Sequence, residues 1–111
     1  MPTPSSVTEI SPEELKLQLD SPQPPLVLDV REPWELEAAR LGGTLDIPMA
    51  QVPQRLAELP RDRPIVVMCH AGARSMKVAN FLVQNGFEQV ASLDGGIRAW
   101  AEDVDPSVGT Y

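Results

Sequence analysis

The sequence predicts an α/β fold, a central, mostly parallel five-stranded sheet flanked by helices on both faces. Three observations predict it. Leu26-Val27-Leu28-Asp29-Val30 and Ile65-Val66-Val67-Met68 are almost uninterrupted apolar runs, the pattern of strands covered on both faces. Stretches with helical spacing separate the strand-like runs, and that alternation is the mark of βα units. A length of 111 residues fits one domain, and 42% hydrophobic residues can fill its core.

Each element has its own signal. Val7-Thr8-Glu9-Ile10 is a short strand, expected at a sheet edge. Ser11-Pro12-Glu13-Glu14 starts a helix: Ser11 can cap, Pro12 suits the first helical position, and Glu14 completes a capping box. Ile10 and Leu15 are spaced for a hydrophobic staple, and Leu15 and Leu19 share a face. Ser21-Pro22-Gln23-Pro24-Pro25 is a stiff linker into the second strand. Arg31-Glu32-Pro33 breaks that strand, and residues 33–39 form a short helix ended by Gly42-Gly43. Thr44-Leu45-Asp46-Ile47 is a strand closed by Pro48, and Val52, Leu56 and Leu59 mark a short helix. The fourth strand, Ile65 to Met68, precedes a helix from Arg74 to Asn85 that Gly86 stops. Val90-Ala91-Ser92-Leu93 is the last strand, and Asp94-Gly95-Gly96 turns into a final helix, Ile97 to Trp100. Residues 1–6 are expected to be a disordered lead-in, 7–104 the domain, and 105–111 a polar tail.

Composition excludes several function classes. A formal net charge of −7 opposes binding to phosphate backbones, so no nucleic-acid partner is expected. A single cysteine forbids an intramolecular disulfide, a CxxC redox pair and a cysteine-based zinc site, and a single histidine removes His-cluster metal sites. No apolar run approaches the ~20 residues of a membrane helix, and the N-terminal residues lack the basic and apolar regions of a signal peptide. A cytoplasmic protein with no membrane partner, monomeric or weakly dimeric, is the expectation.

The chemistry concentrates in Cys69-His70-Ala71-Gly72-Ala73-Arg74-Ser75. Ligands in open α/β sheets bind beyond the carboxyl ends of the strands, where Cys69 falls. A helix N-terminus offers free N–H groups and a positive dipole end. Ala71, Gly72 and Ala73 let the loop curl into a nest of N–H groups, and Arg74 adds fixed charge. Thiolates in such surroundings fall below the ordinary ~8.5 and become nucleophiles. His70 is read as a pocket wall, with proton transfer as the alternative. Asp29 is expected to order the loop backbone or pair with an arginine, and Arg31 to contact substrate or form a structural ion pair. Trp34 and Trp100 are expected as packing anchors, Gly95-Gly96 as turn geometry, and Glu35 and Glu37 as a solvated face.

In these motifs the sequence resembles the single-domain rhodaneses, the thiosulfate or persulfide sulfurtransferases. Asp29-Val30-Arg31-Glu32 is similar to the family motif after the second strand, Ile47-Pro48 to a strand end, and Cys69 to Ser75 to the six-residue active loop with its following Ser. Leu93-Asp94-Gly95-Gly96 and Trp100 resemble the closing signature. The chain departs from the family at Ala39-Arg40-Leu41-Gly42-Gly43-Thr44, where many relatives read Gly-His-Ile-Pro-Gly-Ala, and at Ala71, often polar in similar loops. The resemblance implies a rhodanese-like fold and a double displacement. Cys69 would take the sulfane sulfur of thiosulfate or a persulfide, and the Cys69 persulfide would pass it to cyanide, a thiol or a protein acceptor. The loop residues His70, Ala71, Gly72, Ala73, Arg74 and Ser75, with Arg31, would bind the small anionic donor. No metal or organic cofactor is implied beyond the covalent persulfide.

Two rival readings remain. Cysteine-dependent phosphatases and arsenate reductases have a similar loop but place five residues between Cys and Arg, where this chain has four, His70 to Ala73. The other rival is a non-catalytic regulatory or sulfur-binding module, which retention of both Cys69 and Arg74 opposes.

Overall fold

In the computed structural model, which describes residues 7–111, the chain builds outward from one central strand. That strand, β4 (Ile65–Met68), is buried along its whole length. Its neighbours are β2 (Leu26–Asp29) and β5 (Val90–Leu93), with β1 (Thr8–Ile10) beyond β5 and β3 (Leu45–Asp46) beyond β2. The order is β1-β5-β4-β2-β3 and every pairing is parallel. The edge position expected for the first strand is the one it occupies.

The period-2 alternation of β4 divides the core into two layers. Ile65, Val67 and Cys69 join the cluster holding Val78, Ala79 and Leu82 of α3 (Ala73–Gln84), together with Val52 of the 3-10 segment Met49–Glu58. Val66 and Met68 face the opposite way, into the cluster of Leu15 from α1 (Pro12–Leu19) and Ile97 and Trp100 from α4 (Gly96–Asp103). Helices therefore cover both faces. At the start of α1 the capping box forms as expected, with the Glu14 N–H donating to Ser11 Oγ at 3.1 Å and the Ser11 N–H to the Glu14 carboxylate at 3.3 Å.

The short helix after Pro48 is of the tighter 3-10 type and is interrupted at Arg55, with Pro53 inside it. The structure departs from the expectations in three places. Trp34, in α2 (Pro33–Ala38), is 63% exposed and so is no core anchor, whereas Trp100 is 4% exposed and is one. Glu35 is buried rather than part of a solvated face. Residues 105–111 do not stand apart as a tail. A short 3-10 turn, Pro106–Val108, is tied down by the Arg40 N–H donating to the Val108 carbonyl at 2.9 Å, and Tyr111 beyond it reaches the end of the sheet that carries Cys69. The lead-in of residues 1–6 lies outside the described residues.

Candidate active site

Cys69 leaves the carboxyl end of β4, between β2 and β5, at the centre of the sheet edge. The chain turns at Gly72, whose φ of +115° suits glycine, and enters α3 at Ala73. This short turn brings two main-chain donors onto the sulfur: Sγ accepts the Gly72 N–H at 3.1 Å and the Ser75 N–H at 3.4 Å. The thiol itself points at Ser75 Oγ, 3.5 Å away. Cys69 and Ser75 are buried, while Ala71 and Ala73 are exposed, so the loop rim faces solvent and the sulfur sits beneath it.

The first turn of α4 holds the other side of this loop. The Ile97 N–H donates to the Cys69 carbonyl at 2.9 Å and the Arg98 N–H to the His70 carbonyl at 3.0 Å. The C=O and N–H of one trans peptide point in opposite directions, so the N–H groups of His70 and Ala71 turn away from α4. Gly96 permits this approach. A Cβ there would lie 2.4 Å from the His70 carbonyl oxygen and 2.5 Å from that of Cys69. The Gly95-Gly96 pair expected as turn geometry thus also shapes the loop.

Charge around the sulfur is organised as a chain of paired groups. Arg31 is fully buried. It donates to Asp29 from Nε at 2.9 Å and from Nη2 at 2.8 Å, and to the carbonyls of Glu35 and Ala39 at 3.1 and 2.9 Å. Of its two expected roles, donor contact and structural ion pair, the ion pair is the contact the structure contains, and the Arg31 side chain is fully buried in it. Asp29 is that pair's carboxylate. Arg74 grips Glu35 with both terminal nitrogens, at 2.6 and 2.7 Å. Its guanidinium holds the Glu35 carboxyl at about 2, well below the ordinary 4.5; burial opposes this, and the Glu32 N–H and Tyr111 hydroxyl reinforce it. Glu35 in turn holds the Arg74 pKa up.

Tyr111 joins the two pairs. Its hydroxyl donates to Glu35 Oε2 at 2.7 Å and accepts from Arg31 Nη1 at 3.2 Å. Its ring lies 4.3 Å from the His70 ring, centroid to centroid, and meets Trp34 edge-on at 5.8 Å. The His70 ring packs against Tyr111 here. Among the described residues its Nδ1 has no hydrogen-bond partner, and no bond joins its ring to Sγ. Glu35, Tyr111 and Ser92 are the site residues sequence reasoning missed. Ser92, on β5, bonds Ser75 Oγ at 2.8 Å.

A buried sulfur under a short loop of main-chain donors, at the head of the central strand of a parallel sheet, defines a class: α/β proteins built for chemistry on a single cysteine. Comparison with known proteins gives the family within that class. The rhodanese-like domain matches residues 11–103, and the chain belongs to that family. It is 38% identical over 102 residues to a sulfurtransferase of Allochromatium vinosum, covering 92% of this chain and 95% of that one. It is 34% identical over 96 residues to the thiosulfate sulfurtransferase GlpE of Tolumonas auensis, covering 86% and 90%. A rhodanese-related protein of Thermoplasma volcanium superposes with a TM-score of 0.80 at 31% identity, over 87% of this chain and 93% of that one. Several other relatives are longer, and the chain spans between 26% and 52% of their length. The family and these relatives support sulfur transfer as the general function.

Proposed function

We propose that this domain moves a sulfane sulfur from thiosulfate or a persulfide donor, through a persulfide on Cys69, to a thiophilic acceptor. One observation carries the reading: the only sulfur nucleophile in the chain sits where two main-chain N–H groups converge on it. In the first half-reaction the Cys69 thiolate attacks the outer sulfur of the donor. The new S–S bond forms as the old one breaks, and sulfite or a thiolate leaves with the electron pair. In the second, a thiol, cyanide or a protein thiolate attacks the terminal sulfur, and the Cys69 thiolate is the leaving group. Main-chain donors along the loop stabilise the sulfur that carries negative charge in each step.

Arg74 acts in this scheme by direction rather than by net charge. Glu35 already balances it, so its exposed edge orients a donor while the loop amides supply the field. The four residues between Cys69 and Arg74 favour a single sulfur atom over a phosphate. No helix among the described residues is long and apolar enough to cross a membrane. The test is steady-state turnover with thiosulfate or a low-molecular-weight persulfide as donor and cyanide or a thiol as acceptor, with an aryl phosphate run in parallel. Sulfur transfer that Cys69→Ser abolishes supports the reading. Aryl phosphate hydrolysis without sulfur transfer overturns it in favour of a phosphatase.

A further inference from the structure

Ser92 is a buried hydroxyl, 1% exposed, on a strand otherwise made of Val90, Ala91 and Leu93. A buried hydroxyl costs stability unless it is bonded. Among the described residues its side chain has one partner, Ser75 Oγ at 2.8 Å. Ser92 pairs in register with Val67, whose side chain shares a sheet face with Cys69 two residues on. The hydroxyls of Ser92 and Ser75 and the sulfur of Cys69 therefore form a row: Ser92 Oγ to Ser75 Oγ at 2.8 Å, then Ser75 Oγ to Sγ at 3.5 Å.

Proton bookkeeping gives the row a direction. Each serine hydroxyl has one proton to donate and two lone pairs to accept with. While Cys69 is a thiol, its S–H points at Ser75 Oγ, and Ser75 donates to the Gly72 carbonyl at 3.0 Å. The Gly72 carbonyl does not depend on that bond, because it also accepts the Met76 N–H at 3.2 Å. When Sγ becomes negative, the Ser75 proton can swing onto it. Ser75 Oγ accepts from Ser92 in both states, and once the Ser75 proton is on the sulfur that bond polarises the Ser75 hydroxyl toward it.

The geometry points to Ser92 as a positioning residue that acts through Ser75 to hold a hydroxyl proton on the anionic sulfur of Cys69. The inference rests on Cys69 as the nucleophile of the proposed sulfur transfer. The other ionisable groups around the loop are Arg74 on α3, Glu35 on α2, the Asp29–Arg31 pair at the end of β2, His70 in the loop, Tyr111, exposed Asp94 after β5, and on α4 exposed Arg98, paired with Glu102. Among the described residues none of these side chains bonds either serine hydroxyl, so replacing Ser92 leaves the fixed charges in place.

The experiment follows the rate of Cys69 alkylation by iodoacetamide against pH, using the whole chain. Ser92→Val and Ser92→Thr are compared because they match in volume and differ by the hydroxyl. Ser92→Ala adds a smaller hydroxyl-free variant. The hydroxyl-free variants should move the midpoint of the profile up by about half a pH unit, which is about three-fold slower alkylation below the midpoint. Ser92→Thr should return it to the parent profile. In a Ser75→Ala background, Ser92→Ala should add no further change. A hydroxyl-free profile that superimposes on the parent overturns the inference, as does a shift that Thr does not rescue or that persists without Ser75. Alkylation needs no sulfur donor, so a protein that shows the shift but never takes up sulfur would contradict the proposed function and leave Ser92's role standing.

Discussion

Glu35→Gln probes the charge network that frames the active loop. The Glu35 carboxylate accepts four hydrogen bonds, from both terminal nitrogens of Arg74, the Glu32 N–H and the Tyr111 hydroxyl. Glu35 is 3% exposed, and with Arg74 bonded to it the carboxyl is held at about 2 instead of 4.5. That difference corresponds to about 3 kcal/mol of stability. The Arg74 side chain is 30% exposed, so solvent screens part of the interaction and about 2 kcal/mol is the working figure. The sign follows from the lowered value. The carboxyl is easier to ionise in the folded chain, so its contribution is fully present above 4.5 and is lost as pH falls through about 2. Urea unfolding of parent and Glu35→Gln should show the variant less stable by about 2 kcal/mol at pH 7, with the gap closing between pH 4.5 and about 2. A gap that stays constant over that range, or widens on acidification, would refute the pairing as the source of the stability.

Further predictions follow from the same contacts. Gly96→Ala forces a Cβ against two carbonyl oxygens at 2.4 and 2.5 Å in a residue with φ of +62°; it should destabilise the fold by about 2–4 kcal/mol and slow Cys69 alkylation, measured by thermal unfolding and mass spectrometry. Tyr111→Phe keeps the ring against His70 but removes the hydroxyl shared by Glu35 and Arg31, for an expected loss of about 1–3 kcal/mol by urea unfolding. Arg74→Ala should lower donor turnover while the far-ultraviolet circular dichroism spectrum stays that of the parent, since α3 retains its buried Val78, Ala79 and Leu82.

What the sequence made legible was carried by local, repeated signals. The apolar run from Ile65 to Met68 reads as a buried strand because each residue repeats the same information, and Cys69 inherits its position from that strand. The capping box at Ser11 and the stop at Gly86 are decided within a few residues of chain. Glu35 was illegible for the opposite reason. It sits among Glu32 and Glu37, both exposed, and only Arg74, 39 residues later, and Tyr111, 76 residues later, make its burial favourable. The docking of residues 105–111 is equally non-local, since a polar stretch with Pro106 and Gly109 carries no periodicity to announce it. Arg31 shows the limit of motif reading: its place at a strand end near the cysteine left substrate contact and ion pair both open, and the carbonyls of Glu35 and Ala39 and the Tyr111 hydroxyl, which take the donors Asp29 leaves, come from other parts of the chain.

The central claim is that Cys69 carries sulfur. Intact-mass measurement after incubation with thiosulfate, and separately with a low-molecular-weight persulfide, tests it most directly. The account predicts that the chain gains the mass of one sulfur atom with at least one donor, that the added sulfur maps to Cys69 and leaves on treatment with cyanide, and that Cys69→Ser gains nothing. An unchanged mass with both donors, in protein whose Cys69 still alkylates, would contradict it.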